Sequence, residues 1–173
     1  MFKAKQMTIT DLVRSNIKNL SAYSSARSEF KGQAEVFLDA NENPFDTGLN
    51  RYPDPLQWSV KERLSQLKAV PVENIFLGNG SDEVIDLLIR IFCEPREDEV
   101  ILLPPTYGMY KVSADIADVG QREIALTEDF QPDVTTILAA ASARSKLLFL
   151  CSPNNPTGNS IAAAKLHELC AAF

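Results

Sequence analysis

Residues 99–108 read EVILLPPTYG. After Glu99, four apolar residues run without polar alternation into two prolines, as a strand covered on both faces requires. The prolines end the strand, and Tyr107 and Gly108 stand just beyond its carboxyl end. Similar short apolar runs recur on either side: VFLD (36–39), NIFLG (74–78), REIAL (122–126) and KLLFLC (146–151). Segments with helical spacing lie between most of them. Leu56, Val60, Leu64 and Leu67 share one helix face, with Asp54-Pro55 as cap and first helical residue and Pro71 as stop. Residues 82–92 are mostly apolar. Met109, Val112, Ile116 and Val119 form a stripe, as do Val134, Ile137, Leu138 and Ala141. Leu166, Leu169, Cys170 and Phe173 form the last, still running where the sequence ends. Buried strands alternating with helices predict an α/β fold with a mainly parallel sheet and flanking helices. The first 35 residues are polar and weakly periodic, and read as an arm with one short helix near 8–17.

Composition narrows the function. The chain has 173 residues, 45% of them hydrophobic and 23% charged, which is the balance of a globular protein. It carries 17 Lys+Arg against 23 Asp+Glu, net −6, so a nucleic-acid backbone is a poor partner. No apolar run approaches the ~18 residues that would span a bilayer. The first residues lack the apolar core of a secretory signal, so a cytoplasmic location is expected. Cys93, Cys151 and Cys170 show no metal-binding spacing and read as buried free thiols. No metal is expected.

In an open parallel sheet, ligands bind beyond the carboxyl ends of the strands. Three such ends carry unusual loops: GNGSDE (78–83), PPTYG (104–108) and SPNNPTG (152–158). GNGSDE is a glycine turn feeding a helix, where free amides and the helix dipole favour an anion, with Ser81 adding a hydroxyl. Taken alone it is equally an ordinary glycine turn before an acid-capped helix. Tyr107, between stiffening prolines and a glycine, presents a flat ring suited to stacking, or a helix-entry tyrosine half in the core. Asn154 and Asn155 offer amides at a strand tip, or plain turn chemistry. On one edge, the three together describe a pocket for a flat, phosphorylated molecule.

GNGSDE, LPPTYGMY and CSPNNPTG, in this order, resemble the fold-type I pyridoxal-phosphate enzymes. Within them, NLSAYSSAR (19–27), NENP (41–44) and RYPDP (51–55) make the chain similar to the histidinol-phosphate aminotransferases of the class II subgroup. The resemblance runs from about residue 10 to the end. It implies that the turn at Gly80, Ser81 and Asp82 holds the phosphate of pyridoxal 5'-phosphate and that Tyr107 stacks on its ring. Asn155 would bond the ring's phenolic oxygen, and Tyr52 would reach the cofactor phosphate of a second copy across a homodimer. Tyr23 would lie over the substrate and Asn43 near its amino-acid end. Residues 1–35 would be an arm with part of a small domain, and 36–173 the amino-terminal portion of the cofactor-binding large domain.

The implied activity is transfer of the amino group of L-histidinol phosphate to 2-oxoglutarate, in histidine biosynthesis. The nine lysines (3, 5, 18, 31, 61, 68, 111, 146 and 165) do not follow a strand's carboxyl end. The Schiff-base lysine that such enzymes need, with the aspartate for the ring nitrogen and the substrate arginines, is therefore expected beyond residue 173. The 173-residue chain is expected to be inactive alone. Two alternatives stand beside this reading: a non-catalytic cofactor-binding or assembly fragment, and a threonine-phosphate decarboxylase or aromatic aminotransferase of the same fold. His167, the one histidine, reads as a helix-surface residue.

Overall fold

The computed structural model describes residues 8–24, 30, 32 and 34–172. The chain forms two compact units, Met1–Asn19 with Asn79–Phe173, and Leu20–Gly78.

The first unit is built on a three-stranded parallel sheet, β1 (Glu99–Leu102), β2 (Gly120–Glu123) and β3 (Ser145–Leu148), in the order β2-β1-β3. Its helices are α1 (Ile9–Leu12), α2 (Ser15–Lys18), α4 (Gly80–Phe92), α5 (Met109–Ile116), α6 (Val134–Ala140) and α7 (Ala163–Ala172). β1 is central, and all four of its residues are buried. The alternation along it divides the core. Val100 and Leu102 pack with Ile85, Ile89 and Cys93 of the α4 region and with Ala114 of α5. Ile101 and Leu103 pack with Ile124, with Val134 and Ile137 of α6, and with Leu169 of α7. The sheet thus has helices on both faces, which is why β1 carries no polar residue after Glu99.

The amino-terminal rim of the sheet is tied by one carboxylate. Glu99 accepts from Arg122 Nε (2.9 Å) and Nη2 (3.0 Å), from Ser145 Oγ (2.7 Å) and from Ser142 Oγ (3.3 Å). Residues of β1, β2 and β3 are thereby joined by side chains as well as by the ladder. α1 and α2 are anchored by Arg14, whose guanidinium pairs with Glu94 (2.8 Å) and donates to the carbonyl of Arg90 (2.9 Å).

The later helix spans follow the predicted stripes, but the single helix expected near 8–17 is broken at Val13 and Arg14 into α1 and α2, and two expected strands do not form. Val36–Asp39 is irregular, and Asn74 ends a 3-10 turn (Val72–Asn74) instead of opening a strand. Val36, Leu38 and Phe76 are 71%, 92% and 58% exposed, and no strand forms among the described residues of Leu20–Gly78. α3 (Trp58–Lys68) forms in that unit, three residues later than Asp54-Pro55 implied. The Asp54 carboxylate instead accepts from the amides of Leu56 and Trp58, closing a turn ahead of the helix. The apolar stripe of α3 also stays open, with Leu56, Val60 and Leu67 exposed.

All three cysteines are free, but only Cys93 is fully buried; Cys151 is half-buried and Cys170 exposed. Burial pushes the Cys93 thiol up to about 12, so it is inert at neutral pH. Cys170 faces outward because the stripe of α7 buries Leu169 and half-buries Leu166. Phe173 and residues 25–27 of the NLSAYSSAR stretch lie outside the described residues. Among the described residues no helix is long and apolar enough to cross a membrane, and no cluster of metal-ligating side chains occurs.

Candidate functional site

In the first unit one turn opens α4 and two loops follow β1 and β3, and hydrogen bonds join the three into one rim. The turn into α4 comes first. Gly80 has φ +75°, a left-handed conformation that an L-residue adopts at a cost, and this turns the chain abruptly into the helix. The amides of Gly80, Ser81 and Asp82 have no protein acceptor among the described residues. They lie in the first turn of a 13-residue helix, where the dipole adds its positive end. The Asn79 amide is taken by the Glu83 carboxylate (2.5 Å). Replacing Gly80 with alanine is expected to lower stability by about 1–2 kcal/mol, the cost of a left-handed L-residue. A urea melt measures this, and an unchanged midpoint would mean the turn relaxes freely.

The second loop follows β1. Leu126 N–H donates to the carbonyl of Pro104 (2.9 Å), extending the β1–β2 pairing past the strand. Tyr107 is half-buried, and its ring meets Tyr110 edge-on at 5.6 Å; Tyr110 in turn stacks on Phe149 at 4.6 Å. The Tyr107 hydroxyl donates to Asp82 Oδ1 (2.9 Å), which ties this loop to the start of α4. That bond to a carboxylate raises the Tyr107 phenol above its ordinary value, because the phenolate would face a negative charge.

The third loop follows β3. Asn154 is 5% exposed and is the centre of the rim. Its Nδ2 donates to the carbonyl of Pro105 (2.9 Å) and to Thr157 Oγ1 (2.7 Å), and its Oδ1 accepts from Thr106 Oγ1 (3.2 Å). Its own amide donates to the carbonyl of Asn159 (2.8 Å), and its carbonyl accepts from Gly158 (2.7 Å). Asn155 is exposed beside it. The rim therefore runs Asp82–Tyr107, then Thr106 and Pro105 to Asn154, with Asn155 next in the chain.

The second unit carries the other predicted residues. Its 41–53 loop folds around Glu42, whose side chain is 4% exposed. Glu42 accepts from Arg51 Nη1 (2.7 Å) and from the amide of Tyr52 (2.9 Å). Asn43 Oδ1 accepts from the amide of Phe45 (3.0 Å), and the Asn43 carbonyl accepts from Asn50 Nδ2 (3.3 Å). Asn43 and Tyr52 thus belong to one loop. Tyr52 and Tyr23 point outward, 63% and 93% exposed. Among the described lysines of the first unit, Lys111 pairs with Glu123 (2.8 Å), and Lys146 and Lys165 donate to the carbonyls of Ala143 and Pro132. These bonds leave their ammonium groups outside the rim's hydrogen-bond network.

Sequence reasoning passed over Glu42, Thr106 and the hydroxyl of Tyr107. The signal for Glu42 was present, since a carboxylate between two asparagines and before a proline is a natural loop centre. Chemically, the rim offers unpaired amides for an anion, an anchored aromatic ring and an exposed amide. Those are the groups a flat, phosphorylated molecule needs.

Residues 18–173 match the family described as aminotransferase class I and II. The chain is 57% identical, over 98% of its length, to a histidinol-phosphate aminotransferase of Christiangramia forsetii, and covers 49% of that protein. It spans about half the length of the curated relatives it matches. Among solved structures it is similar to N-succinyldiaminopimelate aminotransferase of Mycobacterium tuberculosis, with TM-score 0.61 and 26% identity, over 72% of this chain and 35% of that one. Cystalysin of Treponema denticola, whose structure contains pyridoxal 5'-phosphate, shares the fold with TM-score 0.59 at 20% identity, over 70% of this chain and 32% of that one. With the sheet order, the anion-ready helix start and the sequence match in agreement, the chain belongs to the class I and II aminotransferase family.

Proposed function

We propose that this chain forms part of a histidinol-phosphate aminotransferase, which moves the amino group of L-histidinol phosphate to 2-oxoglutarate to give imidazole acetol phosphate and L-glutamate. The observation that supports it best is the bonded rim, Tyr107 to Asp82 and the 104–108 loop to Asn154, set beside a curated relative at 57% identity. In this reading residues 36–173 supply the amino-terminal portion of the cofactor-binding domain, and residues 1–35 an arm with part of a small domain. The protein works in the cytoplasm as a homodimer on a small-molecule substrate.

The residue roles are those the family resemblance implies, and the free amides at the start of α4 support the first of them. The amides of Gly80, Ser81 and Asp82 and the Ser81 hydroxyl hold the phosphate of pyridoxal 5'-phosphate. Tyr107 covers one face of its ring and excludes water there. The exposed Asn155 amide donates to the ring's phenolic oxygen. Tyr52 serves the phosphate in a second copy, and Tyr23 and Asn43 meet the substrate. Bound there, the cofactor supplies an electron sink that loosens the substrate's Cα proton. The protein's share is to fix the ring's plane and anchor its anion, so that binding energy is spent on orientation. The exposed apolar residues of Leu20–Gly78, among them Leu38 (92%) and Leu49 (94%), support an assembled rather than solitary state.

Pyridoxamine 5'-phosphate tests the site, because it lacks the aldehyde that would react with surface lysines. It is expected to bind the chain measurably by calorimetry, and pyridoxamine without phosphate is expected not to. Tyr107→Ala should weaken binding about tenfold, a loss of the order of a ring's stacking and buried area. Equal binding of the two compounds would overturn the phosphate cup. The 173-residue chain is expected to show no transamination when incubated alone with both substrates and pyridoxal 5'-phosphate.

A further inference from the structure

We infer that Asn154 is a positioning residue: a buried latch that sets Tyr107 and Asn155 at one ligand by locking the 104–108 loop to the 152–158 loop. This rests on the cofactor reading above for what the two residues face, but the latch itself is independent of it. The two loops leave different strands, and a loop tip has no ladder to hold it. Here one side chain supplies the missing connection from both ends of its amide. Its NH₂ group reaches the Pro105 carbonyl (2.9 Å), and its oxygen receives the Thr106 hydroxyl (3.2 Å). The remaining N–H goes to Thr157 within its own loop (2.7 Å), and the main chain closes the turn through Gly158 and Asn159.

The chemistry demands an amide. An aspartate would keep the acceptor for Thr106 but set a carboxylate oxygen against the Pro105 carbonyl, two acceptors with no proton between them. At 5% exposure no solvent replaces the lost donors. Asn154 is followed directly by Asn155, so the latch also fixes where the exposed amide stands. Tyr107 is next to Thr106, and its hydroxyl is held from the other side by Asp82 at 2.9 Å. The ring is thus held from two sides, by Asp82 at its tip and by Asn154 through the preceding residues Pro105 and Thr106. Asn154 needs no contact with the ligand to govern how well the ligand is met.

The test needs no cofactor. Tyrosines labelled at the ring carbon bearing oxygen give each of the four phenols its own NMR titration, with Tyr107→Phe assigning one of them. In the unaltered chain Tyr107 is expected to titrate above an ordinary tyrosine because Asp82 holds its proton. In Asn154→Asp and Asn154→Ala the backbone clamp is lost, Tyr107 swings from Asp82, and its titration is expected to fall toward that of an ordinary tyrosine. Asn155→Ala, one residue on, is expected to leave it in place. Amide exchange at Gly158 and at Tyr110 should speed at least tenfold in the Asn154 variants while Val100–Leu102 keep their protection. If the Asn154 variants fail to fold, Thr106→Val removes one arm of the latch and decides the matter by the same titration. An unchanged Tyr107 titration in folded Asn154 variants, or in Thr106→Val where only that variant folds, would overturn the inference. Failure to bind pyridoxamine 5'-phosphate would instead overturn the cofactor reading and leave the latch standing.

Discussion

Ile101→Ala is expected to remove about 2–5 kcal/mol of folding free energy, the range for deleting a large aliphatic side chain in a closed core. Ile101 is 0% exposed in the middle strand, bonded to both neighbours through the ladder. Its side chain sits among Leu103, Ile124, Val134, Ile137 and Leu169, so truncation leaves a void walled by a sheet and two helices. The sheet side of that void is fixed by strand pairing and cannot close on it. With a sheet of three strands there is little redundancy. Against a typical total of about 5–15 kcal/mol, such a loss is a large fraction. Urea unfolding should show the midpoint fall with an unchanged slope. Ile116→Ala on α5, where the side chain is 68% exposed, should stay within about 0.5 kcal/mol. A loss below about 1 kcal/mol at Ile101 would mean that α6 and α7 are not firmly packed on that face.

The two residues illustrate what could be read in advance. β1 was legible because burial on both faces leaves an unbroken apolar run, and the helices were legible because their stripes recur at the right spacing. β2 was harder. Its strand residues are GQRE, polar because it lies at the sheet edge, so the apolar REIAL pattern placed the strand two residues late. What fixes its true start is a close approach: a Cβ on Gly120 would meet the Asp98 carbonyl at 3.2 Å and the Glu99 Cβ at 3.3 Å. No local pattern announces that. Likewise VFLD and NIFLG have strand composition, but a strand needs a partner strand, and the described residues of Leu20–Gly78 form none.

The rim divides in the same way. Glycine, proline and asparagine mark turns by their backbone chemistry, so GNGSDE, PPTYG and NNPTG are legible as loops from the sequence. The bonds between loops did not. That Tyr107 reaches Asp82, 25 residues away, and that Asn154 reaches Pro105 and Thr106, 49 and 48 residues away, depends on how strands align, which local sequence does not encode. Of the two asparagines, the buried one is consumed by the fold and the exposed one is left for chemistry, a distinction that composition alone cannot draw.

At the opposite rim, Glu99→Gln is expected to make the chain less stable at neutral pH and no less stable in acid. Arg122 lowers the Glu99 carboxyl below its usual range, with Ser145 and Ser142 adding to this, while burial works the other way. A folded value below the unfolded one, about 4.3 for glutamate, means that the ionised form favours the folded chain. That contribution is complete above the unfolded value and is lost as pH falls through the lower folded value. The Glu99 side chain is only 8% exposed, but that of Arg122 is 43% exposed, so solvent weakens the pair. A difference of about 1–2 kcal/mol at neutral pH is expected, toward the lower side for bonds to a charged group. As pH falls through the folded value the two proteins should converge to within about 0.5 kcal/mol, because protonation makes the native carboxyl resemble the amide. Other carboxylates held low by partners, Glu94 by Arg14 and Asp133 by Thr136, also weaken the fold in acid, but they are common to both proteins and cancel in the comparison. A gap that stayed constant from neutral to acid would show that Glu99 binds its partners through shape alone. A gap that closes would show that the charge on one buried carboxylate helps hold three strands in register, and with them the loops at the far end.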